Sequence, residues 1–177
     1  MRYDIRVAGV NDCSEILKLI KELAVFERQP SAVILSELEL EEAVFCESPW
    51  VYVYVAEMDS NVVGMALYYY GFSTWKGRSL HLEDLIVNEN YRKLGIGKAL
   101  MKQVLQIAKT EKVERMSWEV LDWNEPAIKF YESLGTVFYK DWWLCRLFRE
   151  DLERLQVQPT AQDRIHSHPT GGSGGVV

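Results

Sequence analysis

The stretch of sequence that decides the fold is Leu85-Ile86-Val87-Asn88-Glu89-Asn90-Tyr91-Arg92-Lys93-Leu94-Gly95-Ile96-Gly97-Lys98. It starts as an apolar strand, passes through a basic turn with two glycines, and continues directly as an amphipathic helix. Backbone N–H groups at the start of a helix lack partners within the helix and attract anions, and the helix dipole adds to this attraction. Gly95 and Gly97 can adopt dihedral angles that other residues avoid, and they let a phosphate approach the backbone. The stretch therefore predicts a strand–turn–helix unit that holds a phosphate.

Other phosphate-binding motifs fit this stretch less well. It contains no G-x-G-x-x-G, so a dinucleotide site lacks its third glycine, and no G-x-x-x-x-G-K-[ST] for a nucleoside triphosphate. A surface loop that happens to contain two glycines is the alternative that the spacing alone leaves open.

The periodicity of the flanking sequence places this unit in an α/β (α+β) chain. Strand patterns cover residues 5–7, 51–55, 62–70, 80–87 and 116–120, with a loop at 71–77 and a closing hairpin or bent strand at 137–139 and 144–148. Four helices are predicted: from an Asn11 cap to near Phe26, from a Ser36 capping box to about Cys46, over about 98–110, and between an Asn124 cap and Gly135. Because hairpin strands come first and strand–helix–strand units follow, we expect a mixed sheet, antiparallel and then parallel.

Length and composition limit the function classes. A chain of 177 residues with 48% hydrophobic residues fits one globular domain, which we predict over residues 1–155 with a disordered tail at 156–177. The net charge is -6, and the sequence contains no cluster of basic residues of the kind that nucleic-acid-binding proteins usually carry. No apolar run reaches the ~18 residues of a membrane span, so we expect no membrane association. Three cysteines without a CxxC pair and the absence of a secretory signal favour the cytoplasm.

Several motifs together resemble one enzyme family. Tyr91-Arg92-x-x-Gly95-Ile96-Gly97 resembles the acetyl-CoA pyrophosphate loop of the GNAT acetyltransferase superfamily. Further segments carry the same likeness in family order over residues 3–150: Ile20-Lys21-Glu22-Leu23-Ala24, Ser73-Thr74-Trp75-Lys76-Gly77-Arg78, Leu82-Glu83-Asp84, Val120-Leu121-Asp122-Trp123-Asn124 and Lys129-Phe130-Tyr131-Glu132-Ser133-Leu134-Gly135. The most similar subgroup is the diamine (spermidine/spermine) and thialysine N-acetyltransferases. The resemblance implies a GNAT-type mixed sheet with about four helices, acetyl-CoA as co-substrate, no metal, and a homodimer.

Acetylation of a cationic amine sets chemical requirements. A primary amine with a pKa near ~10.4 is almost entirely ammonium at neutral pH, so a base must remove a proton before attack. The leaving thiolate and the thioester carbonyl oxygen each need a donor. By resemblance, Glu83 accepts the proton and Tyr131 is the acid at sulfur. From the residues alone, two solvated surface charges at Glu83-Asp84 and a packed core tyrosine at 131 remain the alternatives.

The resemblance also implies which residues bind the two substrates. The acetyl-CoA contacts are expected from the end of a strand, the glycine turn and the start of a later helix: Leu85, Ile86, Val87, Arg92, Lys93, Leu94, Gly95, Ile96, Gly97, Lys98, Asn124, Glu125, Pro126, Ala127 and Tyr131. The amine pocket is expected from carboxylates and aromatic faces, which suit a cationic chain: Phe26, Glu27, Trp75, Glu83, Asp84, Asp141 and Trp143.

Departures from the family leave the amine open. Lys93 replaces the first glycine of the loop, a change expected to be tolerated because only some of the loop amides need unusual dihedrals. Ser73 and Asp141-Trp142-Trp143 replace more acidic polyamine-type segments, while Ser73–Arg78 and Leu121–Asn124 favour the thialysine branch. We therefore expect acetyl transfer to a diamine, polyamine or thialysine-like amino acid. A protein-lysine acetyltransferase, a non-catalytic acyl-CoA-binding module and a proton relay through His81 stay open.

Overall fold

The computed structural model of the chain describes residues 2–155, and its central feature is a five-stranded sheet in the order β1-β2-β3-β4-β5. The strands are β1 Asp4–Val7, β2 Tyr52–Met58, β3 Asn61–Ser73, β4 Gly77–Val87 and β5 Arg115–Ser117. The first four strands pair antiparallel, and β4 and β5 pair parallel. The predicted α/β (α+β) class with a mixed central sheet is confirmed.

Over residues 2–155 the sheet is accompanied by five α-helices: α1 Cys13–Phe26, α2 Glu37–Phe45, α3 Ile96–Thr110, α4 Glu125–Glu132 and α5 Arg149–Arg154. The Ser36 capping box is present, because the Glu39 N–H donates to Ser36 Oγ at 3.2 Å and the Ser36 N–H donates to Glu39 Oε2 at 2.9 Å. The predicted Asn11 cap is wrong. A short 3₁₀ turn precedes α1, and its Asp12 carboxylate accepts the Gly9 N–H at 2.7 Å instead.

The core lies on both faces of the sheet. On one face, α1 and α2 bury apolar residues such as Ile16 and Leu40 against Val55 and Met65. On the other, α3 packs on β3 and β4 and buries Leu100 completely. Each such side chain contributes about 1.5–3 kcal/mol when it leaves water. Both α1 and α3 therefore pack against β4.

The strands differ from the prediction at three places. The predicted loop at 71–77 is wrong, because β3 continues to Ser73, which pairs with Gly77 across a short turn. Strand β5 is only three residues long instead of the predicted five. Of the residues described between 132 and 155, none forms a strand, so the predicted closing hairpin at 137–139 and 144–148 is wrong.

The chain divides into two units, residues 1–131 and 132–177. The described part of the second unit, 132–155, starts at the end of α4 and contains Gly135 at a φ of 79°, which is the glycine predicted after that helix. It ends in α5, where Arg149 pairs with Glu153 at 2.7 Å. The predicted single domain over 1–155 stays a prediction, and the predicted tail at 156–177 lies outside the described residues.

Within residues 2–155 no helix combines the length and apolar character needed to cross a membrane.

Candidate active site

The glycine turn between β4 and α3 has the geometry of an anion site. Gly95 caps α3 at a φ of 84°, so the backbone turns sharply and the first amides of the helix face outward. The first turn of α3 contains no acidic residue. Arg92 is anchored at the turn, because its Nε donates to the Val87 carbonyl at 3.1 Å. Amides, helix dipole and basic side chains therefore attract negative charge to the same place.

Lys93 adopts a left-handed conformation with a φ of 65°. The expectation that this position does not need an unusual dihedral is wrong. A side chain with a Cβ in this region costs about 1–2 kcal/mol. The turn therefore keeps its shape without the glycine at a cost in stability.

The centre of β4 contains a β-bulge at Glu83. Consecutive residues of β3, Leu67 and Tyr68, pair with Asp84 and Leu82, which leaves Glu83 as an extra residue in β4. The usual alternation is interrupted there. Asp84 pairs with Leu67, which belongs to the core beneath α1, and Glu83 contacts His81 on the same side of the sheet. The Glu83 and Asp84 carboxylates therefore lie on the same face of the sheet.

Strands β4 and β5 separate next to this bulge. Their parallel pairing covers Ser79 to His81 on β4 and ends there, so the following residues of β4 have β3 on one side and no partner strand on the other within the described chain. The gap is a cleft lined by thirteen residues: Leu23, Glu27, Leu82, Glu83, Asp84, Leu85, Trp118, Glu119, Val120, Leu121, Asn124, Ala127 and Tyr131. An extended chain placed in this gap can pair with the free edge of β4 as an added strand does.

The cleft is acidic. Four of its lining residues are carboxylates (Glu27, Glu83, Asp84 and Glu119), and no lysine or arginine of the described chain is among them. Burial first, and then the nearby charges of Glu83 and Glu27, raise the pKa of Asp84 to about 6. A cation in the cleft would relieve this repulsion, so the cleft is built to attract positive charge.

Among the residues that line the cleft, Tyr131 is the one whose side chain has a hydroxyl group. Tyr131 lies on α4 and is 7% exposed, with its ring 5.2 Å from that of Trp118. Burial raises the pKa of this phenol to about 12, so it is protonated at neutral pH. Asn124 caps α4 as predicted, because its Oδ1 accepts the Ala127 N–H at 3.3 Å. The cap directs the start of α4 toward the cleft.

Several predicted site residues are not among those that line the cleft. The Phe26 ring lies 5.5 Å from the Arg92 guanidinium and 5.4 Å from the Trp123 ring, so it links the end of α1 to the glycine turn. Trp75 is 83% exposed at the tip of the β3–β4 hairpin, and the seven residues from Gly77 to Glu83 span about 20 Å of strand.

Two further pairs of predicted site residues are also absent from the lining of the cleft. Asp141 and Trp143 lie in the second unit, where Trp143 is 91% exposed. Glu125 and Pro126 are exposed on the first turn of α4. For these residues, as for Phe26 and Trp75, contact with a substrate stays a prediction.

The sequence reasoning missed residues that adjoin the carboxylates. Tyr69 on β3 pairs in register with His81, and Ser117 on β5 lies 3.3 Å from the His81 ring through Oγ and Nδ1. Trp118 and Glu119 line the cleft after β5 ends. The pairing of β3 with β4 would have placed Tyr69 beside His81. However, the bulge shifts the register of that pairing, so the partner of Tyr69 cannot be found by counting residues from the turn.

Comparison with known proteins agrees with this geometry. The profile described as the Acetyltransferase (GNAT) family matches residues 16–136. Thialysine N-epsilon-acetyltransferase of Bos taurus is 38% identical over 160 residues, which covers 85% of this chain and 94% of that protein. Spermidine/spermine N(1)-acetyltransferase-like protein 1 of Homo sapiens is 37% identical over 85% of this chain and 23% of that protein. A solved integron cassette protein from V. cholerae superposes with a TM-score of 0.70 at 28% identity, covering 86% of this chain and 96% of that one.

A mixed sheet with a splayed β4–β5 pair and an anion-binding turn before a helix defines a class of acyl-group transferases. The chain belongs to the GNAT acetyltransferase family, and it is an N-acetyltransferase. The predicted resemblance is confirmed.

The family uses acetyl-CoA as co-substrate, and the site fits this molecule. The left-handed turn at Lys93 and Gly95 presents amides and basic side chains to a diphosphate. The free edge of β4 beyond His81 offers backbone groups of Leu85, Ile86 and Val87 to an amide-containing arm. The expected placement of the diphosphate at the turn and of the acyl group in the cleft stays a prediction.

The glycine turn yields a prediction on stability. Gly95→Ala places a Cβ at a φ of 84° and should destabilise the protein by about 1–2 kcal/mol, with weaker acetyl-CoA binding because the turn amides reorient. Gly97→Ala is the matched control. Its Cβ meets Val87 Cγ2 at an ordinary 3.7 Å, so stability should stay equal or rise by up to about 1 kcal/mol. Urea denaturation and calorimetry measure both, and equal losses in the two variants would contradict the assigned turn.

The pKa of Asp84 yields a prediction on pH. Because this pKa is raised from 3.8 to about 6, the folded protein binds the proton more tightly than the unfolded chain. The contribution of Asp84 to stability is therefore full below pH ~4 and is lost as the pH rises through ~6, by up to about 3 kcal/mol. Asp84→Asn should match or exceed the wild type in stability at pH 8 and lose that advantage at pH 4.5. A stability difference that does not change with pH would contradict this assignment.

Proposed function

We propose that the chain transfers the acetyl group of acetyl-CoA directly to a primary amine of a small cationic substrate, namely a diamine, a polyamine or a thialysine-like amino acid. The observation that carries this proposal is the meeting of four carboxylates in a cleft that also holds the Tyr131 hydroxyl. Relatives named for thialysine and for spermidine/spermine support the same substrate class.

Each group in the cleft has a place in this reaction. The Glu83 carboxylate, half-exposed at the mouth, accepts the proton that the ammonium loses, directly or through water. Asp84 and Glu27 attract the cation and hold it beside β4. The free amides of β4 near Leu85 polarise the carbonyl oxygen, and the Tyr131 hydroxyl donates a hydrogen bond to the sulfur as the C–S bond breaks.

The proposal also includes a homodimer in the cytoplasm, with active sites near the subunit interface. Such an interface gives a place for Trp75, which is exposed at the hairpin tip far along β4 from its own cleft.

The test of the proposal is a substrate panel with the purified full-length chain. CoA release is followed with a thiol-reactive dye for 1,3-diaminopropane, spermidine, thialysine and a lysine-containing peptide. Turnover with one or more of the small amines, and little with the peptide, is the expected result. Turnover with the peptide alone would assign a protein-lysine acetyltransferase, and coenzyme binding without turnover on any amine would assign a non-catalytic acyl-CoA-binding module.

Replacement of the proposed donor separates turnover from binding. Tyr131→Phe removes the hydroxyl and keeps the ring against Trp118, so kcat should fall by about 10²–10⁴-fold while the Kd for acetyl-CoA stays nearly unchanged. Tyr91→Phe, on the outer part of the glycine turn, serves as a control for the loss of a hydroxyl. Weakened binding with normal kcat in Tyr131→Phe would contradict its role at sulfur.

A further inference from the structure

Glu83 has polar neighbours on two strands. The Tyr69 side chain on β3 lies close enough to the Glu83 carboxylate to be affected by it, and His81 Nε2 lies 3.6 Å from Glu83 Oε2. Glu83 is the extra residue of the bulge, and its side chain is 50% exposed. A half-exposed glutamate samples several rotamers unless its neighbours restrict it, so these contacts decide where the carboxylate lies.

The His81 ring is itself fixed from two sides. It packs on the Tyr69 ring with centroids 5.0 Å apart, and its Nδ1 lies 3.3 Å from Ser117 Oγ on β5. The remaining ring nitrogen, Nε2, therefore points at Glu83. Because Tyr69 and His81 are paired in register, the hydroxyl and the ring nitrogen approach the carboxylate from adjacent strands.

The surrounding charges make this restraint necessary. Asp84 on the same strand, Glu27 at the end of α1 and Glu119 after β5 all place negative charge around the cleft, and they repel the Glu83 carboxylate. Burial first, and then the nearby carboxylates of Glu83 and Glu119, raise the pKa of Tyr69, so its hydroxyl stays a donor at neutral pH. The hydroxyl and the His81 ring are the groups that oppose this repulsion.

We propose that Tyr69 and His81 are positioning residues that hold the Glu83 carboxylate at the mouth of the cleft, where it meets the incoming amine. The inference rests on the proposed function, because it assumes that Glu83 accepts the proton of the amine. It assigns the larger part to Tyr69, whose neutral hydroxyl is available as a donor to the carboxylate, and a smaller part to His81.

The test compares two tyrosines that follow each other on β3. Tyr69→Phe removes the hydroxyl and keeps the ring against His81, and kcat for the best amine of the panel should fall about tenfold. Tyr70→Phe is the matched control, since Tyr70 lies on the opposite face with Arg78 4.4 Å from its ring centroid, and its kcat should stay at the wild-type value. The acetyl-CoA Kd and the Tm should be unchanged in Tyr69→Phe, and a similar fall in both variants would overturn the proposal.

A double-mutant cycle asks whether Tyr69 acts through Glu83. In a Glu83→Ala background, Tyr69→Phe should have almost no further effect on kcat, whereas an undiminished tenfold fall would show that Tyr69 acts by another route and overturn the proposal. His81→Phe, which keeps the ring and removes both nitrogens, should lower kcat about threefold, and that loss should also disappear without Glu83. If the wild type is inactive on every amine, the proposed function fails. If the wild type is active and Tyr69→Phe equals the wild type, this inference alone fails.

Discussion

The extra residue in β4 is the constraint on which the rest of the site depends. A regular strand would turn Glu83 and Asp84 to opposite faces of the sheet, and only one could serve a cation. The bulge brings both to the face covered by α1, and the pairing with β5 ends two residues earlier, at His81. The same stretch of β4 therefore combines acidic side chains on one face with a backbone edge that has no partner strand in the described chain.

The two ends of this strand carry opposite charge, and the separation suits the two substrates. Residues after the strand form a basic turn with left-handed backbone at Lys93 and Gly95, whereas the cleft beside the bulge is lined by carboxylates. A diphosphate and an ammonium attract each other in solution, and the proposed reaction gives each a separate site. Burial first, and then the charges of Glu83 and Glu27, raise the pKa of Asp84, so a cation near these carboxylates would favour the ionised form of Asp84.

Local signals in the sequence were sufficient for much of this architecture. The Ser36 capping box, the Asn124 cap and the glycine turn are each decided by neighbouring residues, and the structure contains all three. The bulge at Glu83 is decided by pairing with β3, which no pattern within β4 reveals. The closing strands at 137–139 and 144–148 were expected from apolar residues alone, and composition of that kind does not provide a pairing partner. Phe26 contacts Arg92, which is far away in the chain, and no local pattern in the sequence reveals this contact. The sequence therefore suggested that the Phe26 ring was available to a substrate.

The burial of Tyr131 limits how it assists the leaving group. With a pKa of about 12, this phenol is a weaker acid than the departing thiol, whose pKa is about 8.5 if cysteine is a guide. Complete proton transfer to the sulfur would therefore be uphill by about 3.5 pKa units, or about 5 kcal/mol. A hydrogen bond from the neutral hydroxyl carries no such penalty, and it strengthens as negative charge develops on sulfur in a site with little water. In the proposed reaction, Tyr131 therefore stabilises the developing thiolate as a hydrogen-bond donor, and the proton that leaves the amine passes to the carboxylates at the mouth of the cleft.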